Sequence, residues 1–257
     1  MEQRHTLTSG KLQIPCRITR PEGMPVKRVI LGVHGFGGSS ADVIQKGIAE
    51  EMALFCDAMV RFDFPAHGEN PEPTLTLEGC QDTLLAAAQY AWELFPEAEE
   101  LCVFATGFGA YVTLSVLEDL LAICPELRLV VQTPSFRMDN TLLNMIQMSA
   151  QTLRVMEKAV LPIPGRPLTI HYEFYEDLQQ TMMLTTQPIP MLILHGEADD
   201  YIPMEDIRNF RRINEQSKLV LIPGATHQFL EEGAWDMVLD LTRDWFAFQQ
   251  VLLCDWE

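Results

Sequence analysis

The chain has 257 residues, 47% of them hydrophobic and 21% charged, enough to bury a large core as one ordinary globular domain spanning residues 1 to 257. A formal charge of −18 disfavours nucleic acid, whose phosphates are bound by Lys and Arg, and disfavours an anionic membrane surface for the same reason. No apolar run approaches the ~18 residues of a membrane span, and the start, MEQRHTLTSG, lacks the pattern of a secretory signal, so a cytoplasmic location is expected.

Residues 4 to 8 and 11 to 19 suit antiparallel edge strands. Short continuous apolar runs follow at Val29 to Val33, Leu101 to Ala105, Leu127 to Val131, Met191 to Leu194 and Leu219 to Ile222. Runs of that length without alternation predict strands covered on both faces, as in a parallel sheet. Helical patterns lie between them. Ser39 to Asp42 carries an S-x-x-D capping signal, after which Ile44, Ile48, Met52 and Phe55 fall on one face. Near the end, Val238, Leu241, Trp245, Phe248 and Leu252 step by three and four, predicting a final helix. Strands alternating with helices imply an α/β fold with a mostly parallel, doubly wound sheet.

The stretch 133 to 187 is too long for a simple crossover and rich in Met, Phe, Tyr and Pro. It reads as a cap over the carboxyl edge of the sheet, where open α/β sheets bind ligands. Its stripe of Leu142, Met145, Met148 and Met156 is read as packing, and its aromatic side chains also suit a subunit contact. Six cysteines, Cys16, Cys56, Cys80, Cys102, Cys124 and Cys254, show no C-x-x-C spacing and are read as buried thiols rather than disulfides or metal ligands.

Four local signals carry chemistry. "GVHGFGGSS" runs an apolar strand into the glycine-rich turn His34-Gly35-Phe36-Gly37-Gly38; "RFDFPAHGEN" places Asp63 and His67 in a tight loop. "FATGFGAY" has the small residues Ala105, Gly109 and Ala110 around Gly107, as a sharp strand-to-helix turn needs. "LILHGEADDYIP" and "LIPGATHQF" put Asp199 and His227 in loops that each follow an apolar strand. Taken singly, each has a plain structural reading: an ordinary glycine turn, a cap for the helix starting near Met204, a satisfied loop histidine.

In this order the signals resemble the α/β-hydrolase family over nearly the whole chain. The resemblance implies the α/β-hydrolase fold with a cap insertion at 133–187. It also implies an oxyanion hole from the amides of Phe36 and Phe108, and an acid and a base in Asp199 and His227, with Asp200 as the fallback acid. Gly35 and Thr106 would lie beside the substrate. Asp63 and His67 would shape the floor of the site and stay out of the catalytic set.

The family's elbow reads G-x-S-x-G, and here Ala105-Thr106-Gly107-Phe108-Gly109 departs from it at the first glycine and at the serine. The nucleophile position is therefore Gly107. No neighbour replaces it, because Thr106 should point away, Cys102 lies within a strand and Ser135 belongs to another strand end. The resemblance implies hydrolysis of carboxylic esters without metal or organic cofactor, nearest to small bacterial feruloyl (cinnamoyl) esterases, with monoacylglycerol lipases and serine aminopeptidases as further relatives. The substrate would be a small ester, and the acidic balance disfavours anionic ones. With glycine at the elbow, the chain is expected to be inactive or nearly so. The alternative is a protein of the same fold that binds a small ligand in its capped cleft without turnover.

Overall fold

The two edge strands form an antiparallel hairpin, β1 (Glu2–Ser9) and β2 (Leu12–Thr19), paired from Glu2↔Thr19 to Ser9↔Leu12. The structure is a computed structural model and describes residues 2–181 and 183–248. Beyond the hairpin come β3 (Arg28–Val33), α1 (Val43–Ala53), β4 (Asp57–Phe62), α2 (Leu77–Leu94), β5 (Glu100–Thr106), α3 (Phe108–Ser115), α4 (Leu117–Ile123) and β6 (Arg128–Gln132). The segment after β6 holds α5 (Met138–Ile146), α6 (Ala150–Met156), the ribbon β7 (Lys158–Leu161) and β8 (Leu168–His171), and α7 (Tyr172–Gln180). The chain then returns to the sheet with β9 (Met191–Gly196), α8 (Met204–Ile213), β10 (Lys218–Ile222) and α9 (Ala234–Phe248).

Among the described residues, eight strands make one sheet in the order β1-β2-β4-β3-β5-β6-β9-β10. From β4 to β10 the neighbours run parallel, and only the β1 and β2 pairings are antiparallel. Successive strand residues face opposite sides. Val29, Leu31 and Val33 therefore join one apolar layer with α2, α3 and α4, while Ile30 joins a second with α1 and α9. Every predicted strand is present, with ends at most two residues from the expected ones; Leu127 falls just outside β6.

Several expectations are corrected. Strand β4 went unread because Asp57 and Arg61 interrupt its apolar run, yet all six of its residues are buried. Its two charges are paired: Arg28 holds the Asp57 carboxylate with two bonds of 3.0 and 2.8 Å, and Arg61 donates to the Ser40 carbonyl and to Glu2. A buried charge survives when it is paired in this way.

The cap of α1 is Asp42 itself, accepting from the amides of Ile44 and Gln45, whereas the Ser39 hydroxyl accepts from Ala41 in the preceding turn. Phe55 lies past the end of α1 and is exposed, as is Phe248 at the end of α9. Leu252 and Cys254 lie outside the described residues. The stripe of the 133–187 segment is broken where Gln147 turns left-handed after α5. Leu142 is buried, Met145 and Met148 pack partly, and Met156 is exposed. The five described cysteines are free; Cys16, Cys80, Cys102 and Cys124 are buried, and Cys56 is partly exposed against Met24.

Candidate active site

Parallel strands point their carboxyl ends to one edge, and each singled-out motif sits in a turn at that edge. At the end of β5, Gly107 adopts φ +50° and ψ −112° as N-cap of α3. Its N–H donates to the Gln132 carbonyl at 3.0 Å, and its own carbonyl accepts from Tyr111 and from Ser135. A positive φ is strained for a residue with a side chain and easy for glycine. A Cβ on Gly107 would nevertheless meet nothing closer than the Gly35 Cα at 3.9 Å and the Thr133 carbonyl oxygen at 4.0 Å. Gly109 is the opposite case. A Cβ there would lie 2.5 Å from the His34 carbonyl oxygen and 2.6 Å from that of Val33, because α3 starts directly against β3.

The turn after β3 is fixed by a buried histidine whose role the sequence did not reveal. His34 Nδ1 lies 2.8 Å from the Gly35 carbonyl oxygen, and its Nε2 accepts the Phe64 N–H at 3.1 Å. Those bonds require the neutral ring with its proton on Nδ1. Burial pushes its pKa down to about 4, the Gly35 bond opposing. The Gly35 carbonyl also accepts from Gly38, so the turn closes on itself around Phe36. The rings of Phe36 and Phe108 meet edge to face at 5.3 Å. Among the described residues neither the Phe36 nor the Phe108 N–H has an acceptor, and the latter is one of the first N–H groups of a helix, which have no intrahelical partner. Both are free to receive an anionic oxygen.

Asp199 and His227 are brought together. His227 Nδ1 lies 2.9 Å from Asp199 Oδ2, while Asp199 Oδ1 accepts the amides of Tyr201 at 2.9 Å and Ile202 at 3.1 Å. The Asp199 side chain is fully buried and that of His227 is 31% exposed. Burial works to raise the Asp199 pKa, but the His227 bond and charge and the two amides outweigh it and hold the group below the ordinary carboxylate value. The carboxylate that His227 meets is thus that of Asp199 rather than of its exposed neighbour Asp200, and Asp199 does not cap α8, whose N-cap is Pro203. With Nδ1 bonded to a carboxylate, Nε2 is the ring nitrogen left for another partner.

The strand ends are stitched across this edge. Thr133 N–H donates to the Leu194 carbonyl, Glu197 N–H to Ile222, and Ala198 N–H to Ala225, joining the β6, β9 and β10 turns. Thr106 Oγ1 turns toward the Val33 carbonyl at 3.4 Å, as expected, and Gly35 lies against Thr106. Ser135 Oγ pairs with Thr141 Oγ1 at 2.8 Å, and Cys102 is buried in β5 with its thiol pushed up by that burial.

Sequence reasoning also missed His195. It is fully buried, has both ring nitrogens unpartnered among the described residues, and places Nδ1 3.9 Å from Asp199 Oδ2. It sits inside an apolar strand run, where nothing in the pattern marks it. In the loop after β4, Asp63 accepts the amides of Ser40 and Glu69, and His67 packs against His34 and Phe36. These residues build the floor beneath the turn. The segment 133–187 reaches the same place. Phe174 of α7 packs on both Phe36 and Phe108, and Ile163 lies against Gly37. Arg166 donates to the carbonyls of His67, Gly68, Asn70 and Glu72. Among the described residues no group of three or more His, Cys, Asp or Glu could hold a metal ion, and no helix is long and apolar enough to cross a membrane.

No family model matches the sequence, and no curated protein matches it. Solved structures match its fold over almost the entire chain. Est1E from Butyrivibrio proteoclasticus, in a structure with ferulic acid bound, superposes with a TM-score of 0.81 at 19% identity, covering 95% of this chain and 98% of that one. A putative hydrolase from Agrobacterium vitis S4 gives 0.76 at 15% identity over 95% and 97% of the two chains. Alpha/beta hydrolase domain-containing protein 10 from mouse gives 0.74 at 15% identity over 96% and 100%. The chain has the α/β-hydrolase fold.

Proposed function

We propose that this chain carries the machinery of a carboxylic-ester hydrolase from which only the nucleophile is missing. In the parent reaction a serine at position 107 attacks the ester carbonyl, His227 takes and later returns the proton, and Asp199 holds the imidazole in the productive tautomer. The amides of Phe36 and Phe108 receive the oxyanion, with Gly35 and Thr106 alongside the substrate and residues 133–187 as the cap. The observation that carries this reading is the 2.9 Å bond between His227 Nδ1 and Asp199, whose other oxygen is held by two amides. A loop histidine with only a packing role needs no such buttress.

Glycine has no atom to acylate, so the acyl-transfer step is lost. In a comparable triad, loss of the serine lowers kcat by about 10⁶. The likeness to a structure holding ferulic acid makes hydroxycinnamoyl esters a sensible first panel, with short p-nitrophenyl esters as the general probe. The free state of the described cysteines favours a reducing compartment, hence the cytoplasm.

The test is Gly107→Ser. The revertant is expected to hydrolyse p-nitrophenyl butyrate at least 10³-fold faster than the unaltered chain, and to lose that gain with His227→Ala. A folded revertant without activity would favour the second reading, a ligand-binding protein that does not turn over. That reading draws on Gly107 itself, which relieves strain of about 1 to 3 kcal/mol that a side chain at this φ would impose.

A further inference from the structure

We propose that the unaltered chain hydrolyses its ester slowly by single displacement, with a water in front of Gly107 as the nucleophile and no acyl-enzyme. This inference rests on the ester-hydrolase reading above. A Cβ on Gly107 would meet nothing nearer than 3.9 Å beyond its own chain neighbours, and the atoms at its margin are the Gly35 Cα and the Thr133 carbonyl oxygen. A water needs room and at least two polar partners. On the ester-hydrolase reading the Nε2 of His227 takes one proton of this water, and the Thr133 carbonyl oxygen, 4.0 Å from where a Cβ would stand, borders the same space. The hydroxyls of Thr106 and Ser135 are directed to Val33 and Thr141, and the Cys102 thiol is buried.

The turn itself is held at positive φ, with Gly107 tied to Gln132 on one side and to Tyr111 and Ser135 on the other. In the reaction the water oxygen bonds to the acyl carbon while its proton passes to His227 Nε2, and the carbonyl oxygen becomes an anion facing the amides of Phe36 and Phe108. Collapse of that intermediate breaks the bond to the alkoxide, which takes the proton back from Nε2. Carboxylic acid and alcohol leave, and the protein is unchanged. Water touches the Gly107 Cα by contact rather than through bonds, so its oxygen stands about 1 Å farther from the elbow than a serine oxygen would, and a misplacement of that size costs ~10² in rate. The turnover is accordingly slow, but it depends on the histidine, because general-base assistance contributes roughly 10² to 10⁴.

The experiment compares four proteins with p-nitrophenyl butyrate: the unaltered chain, His227→Ala, Gly107→Ala and Gly107→Ser. Each is checked for folding by circular dichroism, and each is incubated with a fluorophosphonate and weighed intact. Expected for the unaltered chain are steady turnover without a burst, no mass gain, and a loss of about 10² with His227→Ala. Gly107→Ala should lose at least tenfold, because its methyl fills the water's place, whereas Gly107→Ser should gain rate, a burst and the mass of one adduct. If Gly107→Ser turns over but the unaltered chain is no faster than His227→Ala, or itself shows a burst or an adduct, single displacement is overturned and the ester reading stands. If folded Gly107→Ser is inert, the ester reading fails and this inference fails with it.

Discussion

Gly107 and Gly109 stand two residues apart in one turn, and the backbone treats them in opposite ways. At Gly109 an added methyl would be driven within 2.6 Å of two carbonyl oxygens of β3 and the turn beyond it, so the fold dictates glycine. At Gly107 the added methyl finds open space, so neighbouring atoms do not dictate glycine, and only its φ favours it. A residue that packing leaves free is one whose identity answers to chemistry. The strand-to-helix corner is therefore intact as architecture, and the departure at position 107 is confined to one side chain.

Several outcomes would break or sharpen that contrast. The largest effect is expected in the Gly107→Ser background, where Asp199→Asn should lower kcat by about 10⁴ at unchanged fold, because the amide stabilises the wrong tautomer of His227. A fall below tenfold would show that the buttressed carboxylate does not serve the histidine. Next comes stability. Gly109→Ala should cost more than 3 kcal/mol or prevent folding, whereas Gly107→Ala should cost about 1 to 3 kcal/mol from φ alone. Equal costs in urea titrations would erase the difference between the two glycines.

Comparable in size is the response to acid. Burial lowers His34 to about 4 and His67 to about 3, against an ordinary 6.5. Both folded values lie below the unfolded one, so their stability contribution is complete above pH 6.5 and is lost as pH falls toward 4 for His34 and toward 3 for His67. Each residue should add about 1.4 kcal/mol per pH unit to the slope in that window. His67→Leu should flatten the slope by that amount; an unchanged slope would mean the ring is not held neutral. The smallest expected effect is at Asp42→Ala, which should remove the α1 cap and cost about 1 kcal/mol by thermal melts.

Much of this was legible in the sequence because parallel strands buried on both faces announce themselves as apolar runs, and because turns with special backbone needs restrict their residues. Gly109 and the small residues around it could be read that way, as could the order of Asp199 and His227 along the chain. Strand β4 could not, since a buried pair such as Asp57 with Arg28 looks in sequence like two solvated charges. The same holds for His34 and His195, whose neighbours come from distant segments or from the strand interior. Ser39 misled for a local reason: Asp42, three residues on, makes the shorter reach to the first free amides of α1. The course of residues 133–187 was legible only as an insert; its contacts through Phe174 and Arg166 depend on distant partners.

Arg166 has one more implication. Its four bonds all end on main-chain oxygens of residues 67 to 72, and every amino acid carries such an oxygen. The β7–β8 ribbon is thus docked to its neighbour without reading that neighbour's side chains. Evolution can rewrite the exposed positions of this loop, and with them the rim it offers to a visiting molecule, while the ribbon stays moored by the same guanidinium.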